Sequence, residues 1–184
     1  RYRLFAWARS VDGQWGGAQL VSEDEDQHRY TRAAIDDDGN ILVAWAGGPE
    51  GLRDLYAAYR PVSGAFRPRD LVESHSADEL VSGDVTSLSH LEFSGNGSAF
   101  ICWRQNLLHA FNNYADTRGS TALAKQFDPV GGWDDEHNLD VHNNVGDTVN
   151  LACDVSAGGR LVAAWERYNT YDPQAVSIGG WDHD

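Results

Sequence analysis

A run of five apolar residues ending in tryptophan occurs three times: Ile41-Leu42-Val43-Ala44-Trp45, Ala99-Phe100-Ile101-Cys102-Trp103 and Leu161-Val162-Ala163-Ala164-Trp165. Each follows, at the same spacing, a turn cluster: Ile35-Asp36-Asp37-Asp38-Gly39, Phe93-Ser94-Gly95-Asn96-Gly97 and Val155-Ser156-Ala157-Gly158-Gly159. Asp, Asn and Gly tolerate the positive φ that a two- or three-residue hairpin needs. Each copy therefore predicts strand, tight turn, strand. The second strand is apolar throughout instead of alternating, which predicts burial on both faces.

A second repeat interleaves with the first. Leu4 to Val21 aligns without gaps to Leu55 to Val72, with Leu4 over Leu55, Arg9 over Arg60, Gly13 over Gly64 and Trp15 over Phe66. A third copy runs from Phe127 through Trp133 to Leu139. With four strands per unit named A to D, the chain reads C-D, A-B-C-D, A-B-C-D, A-B, and a last strand C starts near Ala175-Val176. Four antiparallel strands in radial repetition make a blade of a β-propeller. The expected fold is therefore all-β, with about three blades: a half blade over 1–25, blades over 31–75 and 86–141, and a half blade over 149–184. No helical periodicity competes. Arg104 to Thr121, the connection between B and C in the second blade, reads as a long loop with at most one helical turn.

Three blades would turn too sharply to pack face to face, so a ring of six to eight is expected. The rest would come from a longer chain or from a second copy joined head to tail. Arg1 falling within a strand and Asp184 where the next should continue favour the longer chain.

The turn and strand pattern, with Ser10-Val11-Asp12-Gly13-Gln14-Trp15 at a C–D turn, resembles the sialidase-type (BNR, Asp-box) propellers. The resemblance implies a propeller fold over essentially the whole chain. It also raises a sialidase-like glycoside hydrolase as an alternative function. Such an enzyme would need an arginine triad, an acid/base Asp and a Tyr–Glu pair, and no such set maps onto these residues. Phe66-Arg67-Pro68 invites comparison with an arginine motif of that family, but the alignment puts Phe66 over Trp15 and Trp133, in the blade core.

Charge narrows the partners. The 28 acidic residues outnumber the 14 basic ones, for a net charge of −14. Nucleic-acid backbones and anionic membrane surfaces call for the opposite sign. No apolar run approaches the roughly 20 residues of a membrane helix, so membrane insertion is not expected. No leader is visible. The two cysteines, Cys102 and Cys153, sit at slots where sister repeats carry Ala or Leu, and read as small core residues of undecided redox state.

Repeated residues carry scaffold, and insertions carry function. Trp45, Trp103, Trp165, Trp15, Phe66 and Trp133 recur in register and are expected in the core. Asp36-Asp37-Asp38-Gly39-Asn40 has the look of a calcium loop, but no bidentate Glu follows and its sister turns lack carboxylates. It reads as a hairpin, as does the glycosylation sequon Asn96-Gly97-Ser98. His28, His75 and His142, all in D–A connections, read as polar surface residues. No metal ligand set or cofactor is expected.

The B–C and D–A connections share one end of each blade, where propellers bind ligands. Arg104, Gln105 and Asn106 follow one inner tryptophan, Arg167 and Tyr168 another, and Arg29 and Tyr30 enter from a D–A connection. Arg, Asn and Tyr suit ligands rich in hydroxyls or carboxylates. The expected function is an extracytoplasmic binding module for a glycan or a protein partner. The alternatives are the glycoside hydrolase and a structural protein of the cell surface.

Overall fold

A computed structural model describes residues 1–24, 27–50, 52–73, 81–111, 114–140, 147–168 and 176–182. Its plan follows from one recurring turn. The amides of Gly39, Gly97 and Gly159 donate to the carbonyls of Asp36, Ser94 and Ser156 at 3.0, 3.0 and 2.9 Å. The three glycines have φ of 89°, 85° and 83°, the left-handed region that costs a side chain roughly 1–2 kcal/mol. Gly13, in the Asp-box-like turn, repeats the pattern with φ 88° and a bond to the Ser10 carbonyl at 2.9 Å. The Asp36 carboxylate is spent inside its own turn, accepting from the Asn40 backbone and side-chain nitrogens at 2.8 and 2.7 Å. That bonding favours the hairpin over the calcium loop. A Cβ at Gly97 would meet nothing within 4 Å, so Gly97→Ala should cost only the backbone term, about 1 kcal/mol. Urea unfolding should show it, and Gly97→Asn should cost less.

The described residues form strands and turns, with no helix among them. β1 (Tyr2–Ala6) and β2 (Gln19–Asp24) make a two-stranded sheet. β3 (Arg29–Ile35), β4 (Ile41–Gly47), β5 (Asp54–Arg60) and β6 (Asp70–Glu73) follow in order as a four-stranded antiparallel sheet. β7 (Val81–Phe93), β8 (Ala99–Phe111) and β9 (Tyr114–Asp128) make the next leaf, with the short β10 (Gly132–Trp133) and β11 (His137–Asn138) on β9. β12 (Asp147–Val155), β13 (Leu161–Tyr168) and β14 (Val176–Asp182) make the last. One parallel pair, Asp147 opposite Ser120, joins these last two leaves into an eight-stranded sheet. No sheet closes into a barrel.

The leaves are held together through their faces. β4 is buried along its whole length, as its unbroken apolar run requires. Ile41, Val43 and Trp45 point to one side, where they pack with Leu4, Ala6 and Val21 of the first sheet. Leu42, Ala44 and Ala46 point to the other and pack with Val85, Leu88, Ile101 and Trp103. The far face of that second leaf, with Phe100, Cys102 and Ala124, packs with Leu161, Ala163 and Trp165. Each of the three repeated tryptophans is thus buried against the leaf before its own.

This rule explains the first correction. Phe66 and Trp133 pack partly buried into the same two interfaces, but Trp15 is 68% exposed. It belongs to the two-stranded sheet of β1 and β2, ahead of the first full leaf, and among the described residues no earlier sheet covers it. Phe5, Trp7 and Leu20 are exposed with it.

The second correction concerns the segment from Arg104 to Thr121. Instead of a loop, β8 and β9 continue through it as a long hairpin, in which Leu108 faces Thr117 and Phe111 faces Tyr114. These strands have 13 and 15 residues against 7 each for β4 and β5.

The cysteines pack in the apolar core, as their repeat slots imply, and the sequence leaves their redox state open. Cys102 on β8 and Cys153 on β12 form a disulfide between the second and third leaves, with Cα atoms 6.7 Å apart.

Candidate functional site

At the end of the leaves where strand B leads to strand C, the sequence-predicted residues enter two networks. Arg104 donates from Nε to Thr86 Oγ1 at 3.0 Å and from a terminal nitrogen to the Thr148 carbonyl at 3.3 Å. Ser120 Oγ donates to the same carbonyl at 2.9 Å. The fully buried Thr148 donates its hydroxyl to Asp140 Oδ2 at 3.0 Å, and Arg167 donates to Asp140 Oδ1 at 3.1 Å. Arg104 and Arg167 therefore meet through one continuous chain, Arg104–Thr148–Asp140–Arg167. Gln105 accepts from Trp103 Nε1 at 3.2 Å. Asn106 lies on β8 between Asp84 and Ser120. Tyr168 pairs through its backbone with Asp147 and Val176.

Arg29 and Tyr30 lie at the second network, at the start of β3. Tyr30 has φ 53° within a bulge, and so does Asn150 in the bulge of β12. The Arg53 guanidinium lies 5.8 Å from the centre of the Tyr30 ring. Sequence reading missed the buried pair beneath: Arg53 donates a terminal nitrogen to Asp84 Oδ2 at 3.0 Å and its backbone N–H to Oδ1 at 2.9 Å. The Val85 amide then donates to the Arg53 carbonyl at 3.1 Å.

His28 is a further correction. Its ring stands edge-on to Trp45 at 5.7 Å, and its Nε2 is shielded from solvent with no hydrogen-bond partner among the described residues, as is Trp45 Nε1. At the position matching Gln105, the first leaf has Gly47, which offers no side chain to the indole. Burial pushes the His28 imidazole below its ordinary 6.5. The unfolded chain thus takes up a proton before the folded one does. Stability contributed by neutral His28 should be complete above pH 6.5 and fall as pH drops below it. His28→Gln should flatten that slope in thermal unfolding measured between pH 7.5 and 5. His75 and His142 lie outside the described residues.

The opposite end, at the A–B turns, holds a cleft of about 440 Å³ lined by Asp36, Asp37, Asp38, Glu92, Ser94 and Ala157, among others. Beside it His90, Glu92 and Asp154 bring a ring nitrogen and two carboxylates within 4.8 Å of one another. Sequence reading passed over this cluster, although a signal was present: His90 and Glu92 alternate on one strand, and the repeat alignment sets Glu92 over Asp154.

Compared with known proteins, the chain matches no family model and no curated sequence.

Proposed function

We propose that the leaves are blades of a sialidase-type repeat β-propeller and that the chain is an extracytoplasmic binding module for a glycan or protein partner. Three features support the blade reading. Successive leaves pack face to face, β3, β7 and β12 as first strands of their leaves contact one another in turn, and each leaf repeats the same turn. A repeat unit buries its apolar face on a neighbour, so the exposed Phe5, Trp7, Trp15 and Leu20 call for a further leaf, from a longer chain or a second copy. The Cys102–Cys153 disulfide favours an oxidising compartment.

The observation that carries binding over hydrolysis is the state of the buried carboxylates at the B–C end. Asp84 gives one oxygen to the Arg53 amide and the other to its guanidinium; Asp140 gives one to Arg167 and the other to Thr148. A catalytic carboxylate must reach the bond it acts on, and both oxygens of each of these are engaged by groups of the protein itself. Exposed Arg29 and Tyr30 and the half-buried Arg104 stand at this end together with the long hairpin, a set suited to holding a polar ligand.

The test is glycan-array binding by the chain and by a variant in which residues 107–118 are replaced with a short turn, returning the second leaf to the length of the first. Retention of a glycan class by the chain, lost on trimming while the unfolding temperature holds, is the expected result. Steady hydrolysis of an aryl sialoside or simple aryl glycoside, abolished by Asp140→Asn, would replace the binding reading with the hydrolase.

A further inference from the structure

We infer that His90, Glu92 and Asp154 form a binding site for a divalent transition metal of the Zn²⁺ class, built where the second and third leaves meet. The site does not depend on the function proposed above, and it lies at the other end of the leaves.

The ligands come from two strands of different leaves. His90 and Glu92 are two apart on β7, so they share a face of the strand; Asp154 is on β12. Their ligand atoms already lie within 4.8 Å of one another. His90 Nε2 and Glu92 Oε2 stand 3.0 Å apart. Among the described residues that buried nitrogen nonetheless has no partner in hydrogen-bond geometry; the short approach is one of distance and not of direction. Two ligand atoms bound to one tetrahedral ion at about 2.1 Å stand about 3.4 Å apart, so the pair needs to open by only a few tenths of an ångström to share an ion.

A covalent link lies beside the site. His90 is paired in register with Cys102, and Cys102 is bonded to Cys153, the residue before Asp154. The disulfide thus ties β12, which carries Asp154, to β8, the hydrogen-bonded neighbour of the strand that carries His90 and Glu92. Such preorganisation reduces what an ion would have to order on binding.

The donor set points to the class of metal. Imidazole suits Zn²⁺ and its neighbours, whereas Ca²⁺ and Mg²⁺ prefer all-oxygen sets. One nitrogen and two carboxylate oxygens give a neutral site for a dication. Three protein ligands leave coordination positions for water or for an anionic group in the adjoining cleft. That cleft is lined by Asp36, Asp37 and Asp38 together with Glu92, and clustered carboxylates raise the local concentration of cations.

The test uses the oxidised protein, so that no thiolate competes. Zn²⁺ is titrated calorimetrically, and Co²⁺ is followed by its visible absorption, which reports a nitrogen-and-oxygen ligand set. One ion per chain is expected. His90→Gln, Glu92→Gln and Asp154→Asn should each weaken it at least tenfold, with metal-free unfolding temperatures near that of the parent. Asp37→Asn with Asp38→Asn, in the cleft but outside the cluster, should weaken it only two- to threefold. Should one of the three variants fail to fold, the other two make the same comparison. Absence of Zn²⁺ and Co²⁺ binding by the parent would overturn the proposal and leave His90 and Glu92 as an ion pair. Binding that survives His90→Gln but not the double aspartate change would overturn it too, placing the cation in the acidic cleft.

Discussion

Replacing Cys102 and Cys153 together with alanine should lower the unfolding free energy by about 4 kcal/mol. The bridge spans 51 residues of sequence. Closing a loop of that length restricts the unfolded chain by about that amount in the loop-entropy view. Strain is not needed to reach the figure, and the side chains removed are small, so little cavity cost is added. Urea unfolding of the oxidised parent against the double variant would measure it, with the midpoint shifted downward. Equal midpoints for parent and variant would mean that the second and third leaves are held by their apolar interface alone.

Asp84→Ala should cost a comparable amount, about 3–5 kcal/mol, because it leaves the buried Arg53 guanidinium uncompensated. Arg53 and Asp84 side chains are 6% and 10% exposed, so water can make up little of the loss. The Arg53 backbone N–H would lose its acceptor as well. Glu50, a further charge 3.8 Å from Arg53 on an exposed side chain, is a poor substitute. Changing both partners to leucine should recover most of the loss, since a buried pair exchanged for apolar residues of similar bulk is often neutral. The measurement is a double-mutant cycle by urea unfolding. Additive single effects would show that the pair is not coupled across the junction between the first two full leaves.

These two contacts were not legible in the sequence, and the reason is physical. Periodicity reports which residues share a face of their own strand; it is silent on which face meets which residue of the next leaf. Gly39, Gly97 and Gly159 could be placed because a tight turn is local chemistry, and β4 because five apolar residues in a row cannot alternate. Cys102 and Cys153 could be assigned to apolar slots but not to each other, since their pairing depends on how two leaves lie together. Trp15 was placed in the core on a repeat argument that holds only when a leaf precedes it. The extension of β8 and β9 was missed because Leu107 to Phe111 and Tyr114 to Arg118 were read as an insertion, although aromatic and β-branched residues around Asn112-Asn113 also spell a hairpin. At the candidate site, Arg104 and Arg167 were found from their place after the tryptophans. Asp140, in a connection, and Thr148, at the start of β12, join them, and neither carries a local signal.

The proposal that these leaves are propeller blades is tested most directly by an experimental structure of the assembled protein, by crystallography or electron microscopy. The account predicts leaves set around one axis, with β3, β7 and β12 innermost and another four-stranded leaf covering Phe5, Trp7 and Trp15. A folded monomer in which those three side chains stay open to solvent, or leaves that share no common axis, would contradict it.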